Sequence, residues 1–515
     1  MPAQPNIVIM MAEQFTPFAD PNEHPLPLDA PALKRLAGES VRFRHTHCNA
    51  PVCGPSRATF LTGLYACNHE TYDNGSIIPP HVPTFAHLLT AAGYQTAMCG
   101  RMHIHGLDQH RGFESRLCSE LINPLPVCEA DMPGALEPIR PIRDAAPTEY
   151  IAEFSDSPIY QHDNYVTQRT CDFLMNSQSE RDGRPFLLVS GYFASHTGFK
   201  PCAELKPLYE KYLKRDLPLP DFDEQAYERL PEHMKRLTQY ADAGRKIFDP
   251  AYHHHQMAWY FARVEYYDMQ IQRVIQALED SGLADSTYLM VTADHGESMG
   301  YHGHWGKMNF YEPAQRVPLY VRKPTGRESR VVDDAVSLTD FLPTLCDIAG
   351  ADITTPTDGE SFLPLVEDAD ARREDSVIFS EYHGYLSPSG MYMVLKNGIK
   401  YCHYPVETDE LYDLNKDPQE LNNLIDNPAY ATQLADLKQE LASRVDVAYL
   451  EARIQRYNAQ RAASSLGQNN SPVIGARIRA LHQAFRDEYN EPWWDGGQYM
   501  SAHEPASVNP LAKQT

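Results

Sequence analysis

The 515-residue chain has no run of about 18 apolar residues, so no membrane-crossing helix is expected. It is also short of positive charge. Its 45 Lys and Arg face 69 Asp and Glu, a formal net charge of −24. Nucleic acids and anionic membrane surfaces both attract clustered basic side chains, so this balance argues against either partner. It leaves room for an anionic substrate, because a pocket can be basic inside an acidic surface. Cysteine is sparse, and 10 irregularly spaced residues do not make a disulfide framework. Mostly free thiols are expected. The N-terminus, MPAQPNIVIMMAEQ, lacks a basic region, a long apolar stretch and a small-residue cleavage site, which predicts a cytoplasmic protein. Internal repeats and low-complexity segments are absent.

What is present is an ordinary globular composition, 42% hydrophobic and 22% charged. Proline is enriched, at 40 residues, which implies many ordered loops. Apolar β-rich runs alternate with helical patterns. Strands are expected at Asn6–Met11, Tyr94–Cys99, Pro185–Phe193, Thr287–Thr292 and Val317–Arg322. Helices are expected at Ala30–Gly38, Ser56–Tyr65, Asn164–Met175, Ala251–Glu279 and Ser337–Ile348. This alternation predicts an α/β fold, a large and mostly parallel sheet sandwiched by helices, with its chemistry at the carboxyl ends of the strands.

From about residue 372 the texture changes. Val377–Tyr382, Met391–Leu395 and Ile399–His403 read as short strands, with Asn397-Gly398 as a hairpin turn. A helix follows over Ala431–Arg444, continuing toward Arg461. The chain is therefore expected to divide into a catalytic unit, 1–371, and a smaller antiparallel α+β unit with an extended tail, 372–515. The long irregular stretch Glu114–Asp163 reads as a substrate-covering insertion.

The most informative segment is Cys53-Gly54-Pro55-Ser56-Arg57. A Cys here opens a helix, where backbone N–H groups and the macrodipole favour anions, and Arg57 adds a fixed cation one turn in. Taken alone, the segment supports a reactive residue and a buried structural Cys about equally. A zinc site from His45, His47, Cys48 and Cys53 has suitable ligand types but lacks the paired spacing of structural zinc sites. Asp294, just after a strand, could serve as a helix N-cap. Lys307 could be a solvated charge. His253, His254 and His255 are adjacent on a helix, point in different directions and are not expected to share a metal.

The segment Cys53–Gly63, CGPSRATFLTG, resembles the signature of the type I sulfatases of the alkaline phosphatase superfamily, C-x-P-S-R followed by A-T/S-x-x-T-G. MAEQ after the first strand resembles the family's M-x-D-Q/D, and Gly100–His103 its G-K-x-H. His196 matches an isolated His at a strand end. Asp294–Glu297 resembles D-H/N-G, and Gly303–Leu319 the segment that carries an active-site Lys, here Lys307. LYDLNKDPQELNNL (Leu411–Leu424) resembles a motif of the family's C-terminal domain. GRMHIHGLDQHRGFE, YDNGSIIPPHVPTFAHLL and the tail around Pro492–Asp495 are most similar to choline-sulfatase-like enzymes.

The resemblance implies a sulfatase in which Cys53 is oxidised to formylglycine by a maturation enzyme. Splitting a sulfate monoester requires neutralising its non-bridging oxygens, an in-line nucleophile and a proton for the leaving oxygen. A hard divalent cation meets the first need and lowers the nucleophile's pKa. Carried over from the family, Glu13, Gln14, Asp294 and His295 would hold Ca²⁺ with an oxygen of modified Cys53. Arg57 and Arg101 would bind the modified residue and sulfate. His103 would be the base that expels sulfate from the covalent intermediate. His196 and Lys307 would lie on the leaving-group side, with His196 as general acid. His302, Trp493 and Trp494 are the candidates for contact with the rest of the substrate.

Two positions depart from the family pattern. The first metal Asp is Glu13, one methylene longer, and the Lys of G-K-x-H is Arg101, a planar fork rather than a point charge. The expected substrate is a sulfated carbohydrate or a small alcohol sulfate of the choline type. A phosphonate monoester or phosphodiester hydrolase of the same superfamily, or a sulfate-ester-binding pseudo-enzyme, are the alternatives. The Trp-rich tail is expected to pack on a neighbouring subunit of a homo-oligomer.

Overall fold

The computed structural model describes residues 4–106, 108–120, 158–180, 183–196, 202–242, 247–374, 376–384 and 386–470. Among the described residues ten strands precede residue 340: β1 (Asn6–Ala12), β2 (Val41–Phe43), β3 (Thr46–His47), β4 (Gln95–Gly100), β5 (Ser115–Cys118), β6 (Phe186–Gly191), β7 (Thr287–Ala293), β8 (Leu319–Arg322), β9 (Arg330–Val332) and β10 (Val336–Ser337). Eight of them form one sheet in the order β5-β4-β6-β1-β7-β8-β2-β9, while β3 and β10 pair separately. The run from β5 to β7 is parallel. β8 is antiparallel to both its neighbours, and β9 is parallel to β2. The expected α/β architecture is what forms.

β1, NIVIMMA, is buried at every position. An apolar run without alternation suits a strand covered on both faces. Two groups of helices provide that cover. Pro31–Glu39, Pro158–Glu180 and Lys206–Tyr212 pack on the long helix Pro250–Asp280, while Cys53–Thr62, Phe85–Ala91 and Phe341–Ala349 pack on one another. The long helix starts sharply because Pro250 sits in its first turn and the Asp249 side chain accepts a hydrogen bond from Ala251 N. Among the described residues no helix is long and apolar enough to cross a membrane.

A second sheet comprises β11 (Val377–Tyr382), β12 (Met391–Lys396), β13 (Ile399–His403) and β14 (Glu410–Asp413), antiparallel in that order. Asn397 and Gly398 both have positive φ, 53° and 77°, as the tight turn between β12 and β13 requires. Period-2 alternation splits this sheet's faces. Met391, Met393 and Leu395 pack with Met308, Phe310 and Tyr311, whereas Tyr392 and Val394 pack with Tyr65, Tyr72, Leu437 and Leu441. One face therefore backs the loop that carries Lys307, and the other backs the turn after residue 65.

Four expected helices differ in detail, and the one expected over Asn164–Met175 runs as Pro158–Glu180. The helix expected from Ser56 begins at Cys53. The one expected from Ser337 is a short 3-10 turn, Leu338–Asp340, then a helix from Phe341. The run beyond Ala431–Arg444 breaks at Val445, which is extended, and resumes as Val447–Asn470.

Candidate active site

Parallel neighbours end on the same edge of a sheet, so β4, β6, β1 and β7 deliver their exit residues to one place. Glu13 and Gln14 follow β1, Arg101 follows β4, His196 lies shortly after β6, and Asp294 and His295 follow β7. The helix Cys53–Thr62 turns its first residue to the same edge. The exits of β4 and β6 approach so closely that a Cβ on Gly191 would lie 1.8 Å from the Arg101 carbonyl oxygen. Only glycine fits there.

Cys53 is buried at the centre of the cluster, at 2% exposure. Its Sγ lies 3.2 Å from Lys307 Nζ and 3.3 Å from His295 Nε2. Lys307 Nζ also donates to Gln14 Oε1 at 2.8 Å and meets His196 Nε2 at 2.7 Å. An ammonium only donates, so His196 Nε2 accepts. Asp294 Oδ1 accepts from the backbone N of Gln14 (2.9 Å) and of His295 (2.8 Å), and its Oδ2 accepts from Arg57 Nε (2.9 Å). Arg57 Nη1 donates to Arg101 O at 2.5 Å, and Arg57 Nη2 has no hydrogen-bond partner among the described residues. Arg101 donates through Nε and Nη2 to the two oxygens of Glu13, at 2.8 and 3.0 Å. Its Nη1 reaches Glu120 Oε2 at 3.2 Å and its Nη2 meets His103 Nδ1 at 2.8 Å. The guanidinium lies 4.6 Å from the Phe193 ring centroid.

Burial governs the titration of these groups. It pushes the Cys53 thiol up to about 12, against the pull of Lys307. It lowers His295 to about 4 and pushes His103 and His196 well below the usual imidazole value. All three imidazoles are neutral near pH 7, the form that accepts protons or ligates a metal. Burial is the largest single influence on the Glu13 carboxyl and would raise it, but Arg101, His196 and Arg57 together outweigh it and hold Glu13 well below the usual carboxylate range.

Sequence reasoning missed three contributors. Glu120 lies in the stretch Glu114–Asp163 that the sequence suggested was irregular. There the described residues instead form a strand at Ser115–Cys118 and a helix from Pro158, and residues 121–157 lie outside the described residues. Glu120 pairs with Arg101 and accepts from Ile104 N, and no motif announced it. Glu297 stands in the Asp294–Glu297 motif. It accepts from Gln14 Nε2 and from Gly306 N, and so ties β1's exit to the Lys307 loop. Asn74 bonds both the Cys53 helix and His103. Other candidates lie elsewhere. The His302 ring rests against Tyr301 and Tyr311 rather than in the Cys53 cluster. His47 faces Glu312 and Cys48 faces Gln315, so the zinc arrangement does not assemble. His253, His254 and His255 bond Ile247, Arg215 and Tyr209 separately. Trp493 and Trp494 lie outside the described residues.

Among the described residues, two groups of side chains are close enough to share a metal ion: Glu13, Cys53 and His196, and Cys53, Asp294 and His295. Both centre on Cys53. With Gln14 Oε1 alongside, the three oxygen donors of Glu13, Gln14 and Asp294 outnumber the two neutral imidazoles of His196 and His295 and the single sulfur of Cys53. This fits a hard divalent cation.

The family described as Sulfatase matches residues 5–351, more than half of the chain. The chain belongs to the sulfatase family. It is thus an enzyme of the class that hydrolyses sulfate esters, within the alkaline phosphatase superfamily. The C-terminal family described as N-sulphoglucosamine sulphohydrolase, C-terminal, matches residues 300–446 of this sulfatase. It is 29% identical over 476 residues to a choline-sulfatase of Rhizobium meliloti, covering 89% of this chain and 90% of that protein. An N-acetylglucosamine-6-O-sulfatase of Bacteroides thetaiotaomicron is 27% identical, covering 85% and 86%. The sulfatase also shares its fold with a phosphonate monoester hydrolase of Agrobacterium radiobacter, at a TM-score of 0.70 and 22% identity, covering 87% of this chain and 96% of that one.

Proposed function

We propose that this sulfatase hydrolyses the sulfate monoester of a small alcohol or a carbohydrate, through Cys53 converted to formylglycine. The observation that carries this reading is the setting of Cys53: buried, at a helix start, with Lys307, His295, Asp294 and Glu13 converging on it. A thiol pushed up to about 12 is a poor nucleophile near neutral pH, so the site favours a chemically altered residue over a cysteine enzyme. Glu13, Gln14, Asp294 and His295 would hold Ca²⁺. When bound, the ion would neutralise charge on the sulfate oxygens. Arg57 Nη2 lies 4.0 Å from Glu13 Oε2 but makes no hydrogen bond among the described residues, and an anionic oxygen beside it would supply one. Lys307 Nζ and His196 Nε2 face each other across 2.7 Å, a pair that can hold a proton for the leaving oxygen.

The relatives support two substrate types. One is named a choline-sulfatase and another an N-acetylglucosamine-6-O-sulfatase. A second reading is hydrolysis of phosphonate monoesters or phosphodiesters; a protein of Trinickia caryophylli that is 26% identical is named a multifunctional alkaline phosphatase superfamily protein, a name that allows more than one ester type. The test has two parts. The mass of the Cys53 peptide is measured in protein co-expressed with a formylglycine-generating enzyme, and an unmodified thiol there would overturn both catalytic readings. Turnover of choline sulfate, sulfated sugars, aryl sulfate and a phosphonate monoester is then compared, and a preference for the phosphonate would replace the first reading by the second.

A further inference from the structure

The helix that opens with Cys53 has a weak start. Its N-cap is Val52, which offers no side-chain hydrogen bond, and Pro55 in its first turn has no N–H. The acceptor comes from a turn 20 residues on, where Asn74 Oδ1 accepts from Gly54 N at 2.8 Å. The approach is close. A Cβ on Gly54 would lie 3.1 Å from Asn74 Cα and 3.3 Å from its Oδ1. The backbone of the same residue does a second task, because Asn74 O lies 3.0 Å from His103 Nε2. A carbonyl only accepts, so His103 Nε2 carries its proton. Arg101 Nη2 only donates, so His103 Nδ1 is the accepting nitrogen, 2.8 Å away. One residue thus sets the start of the Cys53 helix and the tautomer of His103.

The turn is itself anchored. Asp73 Oδ1 accepts from Gly75 N at 3.1 Å and from Ser76 Oγ at 2.7 Å. Asp73 Oδ2 accepts from Arg461 Nη1 at 2.7 Å, an anchor provided by the helix Val447–Asn470. Tyr72 adds an edge-on contact with Tyr457 on that helix, ring centroids 5.4 Å apart.

We infer that Asn74 is a positioning residue for the reaction, a bridge that holds Cys53 and His103 in register, steadied by Arg461 through Asp73. Its role rests on the proposed sulfatase chemistry but acts on geometry that can be read separately. Asn74→Ala removes the acceptor for Gly54 N, and Asn74→Asp keeps one. In the mature enzyme, Asn74→Ala is expected to lower kcat by about 10–100-fold, with KM within about threefold of wild type and the melting temperature within a few degrees. Asn74→Asp should recover most of the loss. Hydrogen exchange at Gly54 should speed up in Asn74→Ala. Although the carbonyl that accepts from His103 Nε2 stays in the chain, the freed turn should draw it away, so that the ¹⁵N signals of His103 depart from a single Nε2–H tautomer. Both readouts serve even where wild-type turnover fails, which would count against the activity and not against the bridge. Unchanged Gly54 exchange and His103 signals in Asn74→Ala would overturn the bridge. So would a kcat in Asn74→Asp no better than in Asn74→Ala. A loss in kcat that only followed a fall in melting temperature would reduce Asn74 to a helix cap and overturn its part in the reaction.

Discussion

Glu13 and Arg101 form a two-pronged ion pair, with Arg101 Nε and Nη2 donating to the two carboxylate oxygens at 2.8 and 3.0 Å. These are the two positions that depart from the family's sequence pattern, and in the fold they touch. A carboxylate one methylene longer and a flat two-pronged cation match each other where a shorter carboxylate and a point charge would match otherwise. The two departures are thus in direct contact and are expected to act as a pair. Both residues are almost wholly buried, so leaving either half-paired is costly. Glu13→Asp and Arg101→Lys are each expected to reduce kcat/KM by about 10–100-fold, and the double variant to lose far less than the product of the two. Losses that simply multiply would show that the two positions act independently.

Much of the site was legible because its motifs stand at strand exits. Apolar runs such as Ile7–Met11 and Thr287–Thr292 mark central buried strands, and the polar residues that follow them must then meet at one sheet edge. β2, β5, β9 and β14 were not legible, because three or four residues carry no period. Glu120 and Asn74 escaped for a different reason. Their roles come from contacts across the chain, Glu120 to Arg101 and Asn74 to Gly54 and His103, which no local pattern encodes. Glu13 and Arg101 were legible as departures, but their pairing was visible only in the fold.

Cys53 in its unmodified form should be chemically quiet. Burial pushes its thiol up to about 12, so at pH 8 only about one molecule in 10⁴ carries the thiolate. Protein made without a maturation enzyme is expected to resist iodoacetamide at Cys53 while folded and to react after denaturation, as read from peptide masses. Rapid alkylation of the folded protein would mean that Cys53 is an activated thiolate and that a cysteine-based reaction deserves the first place.

Lys307 joins three groups at once: Gln14 Oε1, Cys53 Sγ and His196 Nε2. Met has similar bulk but neither charge nor donors. Lys307→Met should lower kcat by about 100–1000-fold, in the range seen when a charge-stabilising donor is removed from a site. The fold should hold, because the network around Asp294, Arg57, Glu13 and Arg101 does not pass through Lys307. A kcat near wild type would remove Lys307 from the reaction.

The loop that carries Lys307 is tied to the second sheet by a buried triad. Lys400 Nζ, on β13, lies 2.6 Å from Glu312 Oε1 and 2.8 Å from Glu420 Oε1, and it also donates to Phe310 O at 2.8 Å. Two carboxylates thus share one ammonium. Burial pushes Glu420 up to about 7, with Glu312 adding to the rise and Lys400 opposing it, while at Glu312 Lys400, His47 and Arg316 together outweigh burial and hold the carboxyl well below the usual range. A carboxyl whose folded value is raised binds its proton more tightly folded than unfolded. Its contribution to stability is complete below about 4.5 and is lost as pH rises through about 7. The loss is on the order of 2–3 kcal/mol, enough to lower the melting temperature by several degrees between pH 5 and 8. Glu420→Gln keeps the shape, removes the titration and leaves Lys400 paired with Glu312. Its melting temperature should be flatter than wild type across that range and higher at pH 8. Equal slopes in the two proteins, measured by calorimetry at matched ionic strength, would show that the triad titrates as a unit insensitive to Glu420.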